Sequence, residues 1–336
     1  MGKLGYLFSR VRNMHYRQML EKAAIVRERT GRNRLAILID MAWCGWRYQA
    51  GYMDYLVFEM YNLTGAKRAT YVTRGENNRL VGRLNRRESW VLVEDKARFN
   101  TIFAEFMHRQ WCDLRSCGLA ELAQLVEQCD RLVVKPLDLT CGKGIEFIDT
   151  DGIENVEALY NRLKEEGKVL VEAFIHQHSG IAKLYPKSVN TIRLVTIVDD
   201  QSRVHIVFSS MRLGNGKMVD NLNSGGMATI IDLDTGIISK PGADKDGKEY
   251  AVHPHTGVQF VGTPIPFFQE SVDMVKQAAL KIPELRYLAW DVAVTEEGPL
   301  LIEANHFPGH DIYQFQCHLD DGIGLLPRFK AALGEI

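Results

Sequence analysis

Strands dominate the sequence after residue 185, and they follow one another through short turns. Thr191 to Val198 and Arg203 to Ser210 form one such pair, and Ala289 to Val294 and Pro299 to Ala304 form another. Short connections favour antiparallel pairing, because parallel neighbours need a crossover of about a dozen residues or more. Helices and strands do not alternate strictly along the chain. We therefore expect an α+β fold with antiparallel or mixed sheets rather than a doubly wound parallel sheet.

Hydrophobic periodicity predicts the remaining elements. The helices are expected at 10–29, 51–63, 96–108, 119–127, 156–166, 267–280 and 322–333. Further strands are expected at 69–72, 131–136, 145–148, 169–171, 225–232 and 257–262. Arg34 to Asp40 is apolar and is predicted to be a buried strand. The segment Asp40 to Trp46 belongs either to the core, which we favour, or to an aromatic rim. Boundaries near 90 and 172 divide the chain into 1–90, 91–172 and 173–336.

The composition is that of a folded protein with a sizeable core. Of the 336 residues, 46% are hydrophobic, which excludes a disordered chain. No stretch reaches about 18 consecutive apolar residues, so we expect no membrane-spanning helix, and the first residues do not resemble a secretory signal. The six cysteines have no paired metal spacing and are expected to be reduced thiols of a cytosolic protein; they lie at 44, 112, 117, 129, 141 and 317.

Charge is unevenly distributed along the chain. The formal net charge is −1, yet residues 1–34 contain nine basic and two acidic residues. A basic N-terminal helix of this kind either contacts an anionic membrane surface or is a solvated face packed on the body of the protein. Nucleic-acid binding is not expected, because the rest of the chain is acidic.

A lysine and a glycine-rich loop follow the apolar strand at 131–136. Lys135 ends the strand, and Gly142-Lys143-Gly144 forms a tight basic turn shortly afterwards. Glycines let backbone N–H groups approach an anion closely, and lysines neutralise phosphate charge. The segment is either a phosphate-binding hairpin or a plain hairpin with a solvated lysine.

Two carboxylates and an amide stand on the last predicted hairpin. Asp291 interrupts an apolar strand, Glu303 ends the next strand, and Asn305 lies two residues further on the same face. Oxygen ligands of this kind suit one or two Mg²⁺ ions that also hold phosphates. A pair of edge carboxylates facing water is the alternative, which the flanking apolar residues disfavour.

Two arginines on neighbouring strands are candidates for binding a phosphoryl group. Arg193 alternates with apolar residues, and Arg212 follows the next strand. Their guanidinium groups either clamp a phosphoryl group or form surface salt bridges. The apolar segment Val169 to Ile175, which contains Glu172, can line an adenine pocket, although the pattern alone is not specific for one.

The order of these features along the chain resembles the ATP-grasp superfamily. More narrowly, three strings resemble the sugar-transfer-associated ATP-grasp family, namely Asn190-Thr191-Ile192-Arg193, His253-Pro254-His255-Thr256-Gly257, and Trp290-Asp291-Val292-Ala293 with Glu303-Ala304-Asn305. The resemblance covers about residues 40–320. The chain departs from it at Asp138 to Cys141, where family loops are often richer in glycine.

The resemblance implies an ATP-grasp fold, in which two α+β lobes close on the nucleotide, preceded by an N-terminal α/β region with a basic helix. It implies ATP and Mg²⁺ as cofactors. The implied nucleotide-binding residues are Lys96 and Lys135 on the α- and β-phosphates, Gly142, Lys143 and Gly144 over the triphosphate, Glu172, Ala173 and Ile175 at the adenine, and His178 at the ribose. The implied metal ligands are Asp291, Glu303 and Asn305, with Arg193 and Arg212 as catalytic residues at the transferred phosphoryl group.

Polar and glycine-rich positions near these strands are candidates for substrate binding. They are Asn221, Asn223, Ser224, Gly225, His253, Thr256 and His310, with His255 and Gln314 as further candidates. A lone histidine in such a set is more often structural than functional.

The resemblance implies a carboxylate–amine ligase that acts through an acyl phosphate and releases ADP and phosphate. Its partners would be small carboxylates and amines, including a saccharide or lipid-linked saccharide of cell-surface assembly. A kinase that releases a phosphorylated product and a non-catalytic nucleotide-binding module are the alternatives. We expect a cytoplasmic protein with weak peripheral membrane contact at most; the sequence leaves the substrates and the oligomeric state open.

Overall fold

A computed structural model describes residues 16–135 and 144–334. The chain divides into two compact units, Met1–Arg83 with Gly309–Ile336, and Leu84–Pro308. The boundaries predicted at 90 and 172 both fall inside the second unit, and they remain predictions about its subdivision. Among the described residues, no helix is both long and apolar enough to cross a bilayer.

Helices and strands are mixed along the chain, as the sequence predicts. The described helices are α1 Tyr16–Thr30, α2 Arg34–Arg47, α3 Tyr52–Val57, α4 Gly65–Arg68, α5 Arg74–Leu84, α6 Val91–Glu94, α7 Lys96–Ile102, α8 Ala104–Met107, α9 Leu119–Gln128, α10 Val156–Glu165, α11 Ser179–Ala182, α12 Phe268–Ala279 and α13 Leu326–Leu333. The strands are β1 Trp111–Asp113, β2 Arg131–Lys135, β3 Glu146–Asp149, β4 Leu170–Ala173, β5 Thr191–Val198, β6 Val204–Leu213, β7 Met227–Ile230, β8 Gly242–Asp244, β9 Glu249–Tyr250, β10 Tyr287–Thr295 and β11 Gly298–Asn305.

The segment predicted as a buried strand at Arg34 to Asp40 is instead the first half of helix α2, so that prediction is wrong. Asn33 caps the helix, since its side-chain oxygen accepts a hydrogen bond from the backbone N–H of Leu35. The residues that α2 buries are Ile37, Met41 and Cys44. Their spacing of four and three residues is that of one helix face. The helix continues to Arg47 and is fourteen residues long, which exceeds the usual length of a strand.

Three further expectations are corrected. Trp43 and Trp46 do not belong to the core, because their exposed fractions are 50% and 55%. Residues 69–72 form turns and bends rather than a strand. Residues 257–262 contribute only an isolated bridge between Val252 and Gln259. The helix predicted at 10–29 is described from Tyr16 onwards, and its earlier residues lie outside the described part.

The second unit contains a four-stranded sheet in the order β1-β4-β2-β3, with every pair antiparallel. Leu132 and Val134 of β2 alternate with more exposed neighbours and point into a core that also holds Leu122 of α9 and Leu163 of α10. This alternation of buried and half-buried residues is what a sheet with one covered face requires. It places Lys135 at the end of β2.

The same unit contains a seven-stranded antiparallel sheet in the order β11-β10-β5-β6-β7-β8-β9. One face of its central strands is apolar, and Leu194 and Trp290 pack there in the same core as Val275 of α12. Arg193 and Asp291 alternate with those residues and therefore point to the opposite face. The sheet thus carries its charged side chains on the face away from its main core.

Candidate active site

Four polar side chains form a row across four adjacent strands of the seven-stranded sheet. Glu303 of β11 pairs with Asp291 of β10, which pairs with Arg193 of β5, which in turn pairs with Ser210 of β6. Residues directly opposite each other on neighbouring strands share a face, with side chains about 5 Å apart at Cβ. Antiparallel pairing therefore brings together side chains that lie far apart in the sequence.

Asp291 is the centre of this row and is held by two arginines. Arg193 donates from Nε to Oδ1 and from Nη2 to Oδ2 of Asp291, the latter at 2.7 Å, and Arg212 donates from Nη1 to Oδ2 at 2.7 Å. Asp291 is 3% exposed and Arg212 is 7% exposed. Burial alone would raise the pKa of Asp291, but the two guanidinium groups outweigh it and lower this pKa to about 2. Asp291 is therefore a carboxylate at any physiological pH.

Glu303 has the opposite electrostatic environment. Burial and the negative charge of Asp291 raise the pKa of Glu303. Asn305, two residues along β11, donates from Nδ2 to Oε1 of Glu303 at 3.5 Å. Glu303 therefore holds a proton more readily than an exposed glutamate, first because it is buried and second because Asp291 beside it is charged. A divalent cation bound here would favour the ionised form of Glu303.

The predicted metal ligands fit Mg²⁺ in their chemistry, because two carboxylates and an amide oxygen are hard donors on adjacent strands. Among the described residues, no group of three or more His, Cys, Asp or Glu side chains is placed to hold a metal. Mg²⁺ bound by these three side chains would complete its coordination with further oxygen ligands. Magnesium sites that bind phosphates have this composition, with few protein ligands and the rest from water and substrate.

A second charged cluster lies in the four-stranded sheet and is centred on Glu172 of β4. Lys135 donates from Nζ to Oε2 of Glu172 at 2.5 Å, and Arg109 donates from Nη2 to Oε1 at 2.8 Å. Asn100 donates to the same Oε1 at 2.9 Å. Burial would raise the pKa of Glu172, which is 2% exposed, but Arg109 and Lys135 bring this pKa well below its usual range.

Glu172 thus fixes the position of Lys135, and its carboxylate oxygens already accept three hydrogen bonds. A role for its side chain at the adenine, which the resemblance implied, would compete with these bonds. Arg109 also links the two sheets, since its Nη1 donates to the carbonyl oxygen of Leu301 at 2.9 Å. Leu301 lies two residues before Glu303 on β11, so the cluster at Lys135 is tied to the strand that carries the acidic row.

The other predicted nucleotide-binding residues are spread over the second unit. Lys96 is the first residue of α7, and Ala173 ends β4. Ile175 is half-buried just beyond that strand. His178 lies 3.2 Å from Glu296, from Nε2 to Oε2. Gly144 is described at a positive φ of 72°, whereas Gly142 and Lys143 lie outside the described residues, so their roles remain predictions.

The predicted substrate loop lies beside the arginines. Asp220, which begins it, accepts hydrogen bonds from Thr191 of β5 and, at 3.4 Å, from Arg212 of β6. Within the loop, Oδ1 of Asn221 accepts from the backbone N–H of Asn223 at 2.8 Å. Gly226 ends the loop in close contact with its start. A side chain would not fit there, because a Cβ atom would lie 2.5 Å from the carbonyl oxygen of Asp220. Ser224 and Gly225 follow in the same turn, with Gly225 at a φ of 98°.

The remaining candidates are held by the fold. His253 is fully buried and its Nε2 lies 2.9 Å from the carbonyl oxygen of Gly214. Burial lowers the pKa of His253. Thr256 donates to the carbonyl oxygen of Leu184 at 2.9 Å. His310 belongs to the first unit, where its Nε2 lies 2.9 Å from Oδ1 of Asp54. A role for His310 in substrate binding therefore remains a prediction.

Several residues that complete these clusters were not predicted. No local sequence pattern marks Arg109 or Asn100, because they lie 63 and 72 positions before Glu172 in the sequence. Thr191 could have been found, since it stands two residues before Arg193 on the same face of a strand. Ser210 closes the row on β6, fully buried, and its hydroxyl has no hydrogen-bond partner among the described residues.

The model of the sugar-transfer associated ATP-grasp family matches residues 75–332 of this sequence. The chain belongs to that family. The matched range contains both charged clusters and both sheets of the second unit. In this ATP-grasp protein, the strand that carries Lys135, the strand that carries Glu172 and the hairpin that carries Asp291 and Glu303 follow one another along the chain within the matched range.

Solved structures similar to this ATP-grasp protein share little of its sequence. The ligase PsnB in complex with a minimal precursor is 11% identical, with 74% of this chain and 62% of that chain covered and a TM-score of 0.44. Biotin carboxylase from Campylobacter jejuni is 12% identical over 73% of this chain and 47% of its own, with a TM-score of 0.45. The L-amino acid ligase from Bacillus licheniformis is 13% identical over 73% and 48%, with a TM-score of 0.44.

This chain spans less than two thirds of each of those structures. No curated protein matches it.

Proposed function

We propose that this protein is an ATP- and Mg²⁺-dependent ligase that joins a carboxylate to an amine. The observation that supports the proposal best is the row in which Glu303, Asp291 and Arg193 face one another across three strands. It combines an anionic end suited to Mg²⁺ with a cationic end suited to a phosphoryl group. Phosphoryl transfer requires positioning and charge neutralisation of this kind more than covalent chemistry by the protein.

In the proposed reaction a carboxylate oxygen of the first substrate attacks the γ-phosphorus of ATP. The bond from that phosphorus to the β–γ bridging oxygen breaks, and ADP leaves. Mg²⁺ held by Asp291, Glu303 and Asn305 would neutralise charge on the phosphates. Arg193 and Arg212, whose guanidinium groups stand beside Asp291, would stabilise the negative charge that develops on the equatorial oxygens.

The acyl phosphate then reacts with the second substrate. The amine nitrogen attacks the carbonyl carbon, the bond from that carbon to the phosphate oxygen breaks, and inorganic phosphate leaves. The amine loses one proton to the surrounding solvent or phosphate. A kinase would stop after the first step, so the row of Asp291 alone does not separate the two outcomes.

Lys135 has a defined part in this proposal. Glu172 holds its amino group in place, while the side chain stays 17% exposed and can contact a polyphosphate. Lys96, His178 and the loop from Gly142 to Gly144 would complete the nucleotide site. The saccharide or lipid-linked saccharide substrate is suggested by the family's association with sugar transfer, and a cytoplasmic location, where ATP is available, is part of the same proposal.

A panel of acids and amines, scored by ADP release and product mass, tests the proposal. We expect ADP release that requires both substrates and an amide product with the mass of the two minus water. Arg212→Lys should reduce turnover at least about tenfold, since one point charge replaces a bidentate group. Arg203→Lys is the matched control, because Arg203 lies on the exposed turn between β5 and β6 with Asp199. ADP release without amine, with a phosphorylated acid as product, would favour the kinase.

A further inference from the structure

The exposed side of helix α2 in the first unit is apolar along almost its whole length. Its exposed apolar residues are Leu35, Ala36, Ile39, Ala42, Trp43 and Trp46, and we refer to them as the α2 face. Charged residues are exposed only at the two ends of the helix, as Arg34 and Arg47. The face extends over about 16 Å at 1.5 Å per residue.

This face is not part of the core of the first unit. The opposite side of α2 supplies the buried residues Ile37, Met41 and Cys44. Leu35 is 66% exposed and Ile39 is 61% exposed. A helix that is apolar on both sides is expected to be covered on both sides, and a contiguous exposed apolar patch marks an interaction site.

Trp43 and Trp46 stand together on this face, with ring centroids 5.0 Å apart. Tryptophan and arginine on one surface are typical of the boundary between lipid headgroups and acyl chains. The only acidic side chain of α2, Asp40, does not disturb the face, because Arg68 and Tyr55 donate hydrogen bonds to it from the protein side.

The net charge of helices α1 and α2 selects among possible occupants of the α2 face. Residues 16–47 contain seven basic and three acidic residues. A second copy of the chain would bring the same positive surface against itself, which costs electrostatic free energy. An anionic bilayer complements it, at up to about 1 kcal/mol for each basic residue near the surface.

We infer that the α2 face docks on an anionic lipid bilayer, with α2 lying in the plane of the headgroups. The apolar side chains enter the boundary of the acyl chains, and Arg34 and Arg47 contact the headgroups at the two ends. The inference concerns the first unit and does not depend on the reaction proposed for the second.

Sedimentation of the full chain with vesicles tests this inference. The probes are vesicles of phosphatidylcholine with phosphatidylglycerol and vesicles of phosphatidylcholine alone. We expect binding to the first that weakens with salt and weak or no binding to the second. The variant Trp43→Ser with Trp46→Ser should bind at least about tenfold more weakly, which corresponds to about 1.4 kcal/mol. Leu280→Ser is the matched control, since Leu280 is 50% exposed on the second unit.

Circular dichroism and light scattering complete the test. The tryptophan variant should keep the helical spectrum of the parent, because both replaced side chains are half-exposed. Absence of anionic-vesicle binding, or equal binding by the tryptophan variant, overturns the inference. A dimer that dissociates in the tryptophan variant would make a second copy the occupant and also overturn it. Binding that appears only after deletion of residues 1–15 would assign the face to that segment and contradict the lipid proposal.

Discussion

Arg193 and Asp291 face each other across β5 and β10, and the guanidinium of the first donates to both carboxylate oxygens of the second. Arg212 adds a third hydrogen bond at 2.7 Å. The pair therefore divides the row into an acidic side, towards Glu303, and a basic side. A triphosphate that bound here would meet its metal ion and its cationic partners along one line of the sheet.

The environment of Lys135 leads to the first prediction. Lys135→Met should weaken ATP binding by about tenfold, because it removes a charge-assisted contact to the phosphates. Isothermal titration measures the affinity. Lys168→Met is the matched control, since the amino group of Lys168 pairs with Glu146 and Glu166 at the edge of the same sheet. Equal affinities for the Lys135 variant and the parent protein would remove Lys135 from the nucleotide site.

The second prediction concerns the free energy of unfolding. Glu172→Gln should lower it by about 3 kcal/mol, because Arg109 loses the carboxylate that compensates its buried charge. Arg109 is 3% exposed at its side chain. Urea denaturation gives the difference, with Glu146→Gln as the control at about 1 kcal/mol or less. A loss no larger than that of the control would show that the Glu172 cluster does not stabilise the fold.

The contrast between these residues and others shows what the sequence could reveal. That Asp291 has partners was predictable, because a carboxylate within an apolar strand is costly without one. That Asp291 and Glu303 bind a metal ion stays a prediction. Helix α2 could not be predicted, because a short apolar run such as Arg34 to Asp40 fits a buried strand as well as a helix. The exposure of Trp43 was also unpredictable, since the pattern does not reveal which side of an apolar helix faces solvent.

Long-range partners were equally hidden from the sequence. Arg109 reaches Glu172 of β4 and Leu301 of β11, which the fold brings within the span of one guanidinium group. The division of the chain into Leu84–Pro308 and the remainder was not predicted either, because the first unit is completed by the C-terminal segment from Gly309. Backbone bonds such as that from Leu326 to Thr70 make this connection.

The raised pKa of Glu303 leads to the third prediction. A proton and Mg²⁺ compete for this carboxylate, so the affinity for Mg²⁺ should fall as the pH is lowered towards the pKa of Glu303. Glu303→Gln should bind Mg²⁺ more weakly and lose most of this pH dependence, because the titrating group is gone. Titrations of Mg²⁺ in buffers of different ionisation enthalpy count the protons released. The same proton release in the variant and the parent protein would place the metal elsewhere.

The proposed ligase reaction is tested most directly by following an oxygen atom. Once a substrate pair is found, the acid is labelled with ¹⁸O in its carboxylate, and the inorganic phosphate is analysed by mass spectrometry. When the amine displaces phosphate from an acyl phosphate, the bridging oxygen, which came from the carboxylate, leaves with the phosphate. We therefore predict one ¹⁸O atom in each phosphate released for each amide formed. Amide formation with unlabelled phosphate, or ¹⁸O retained in a stable phosphorylated acid, would contradict the account.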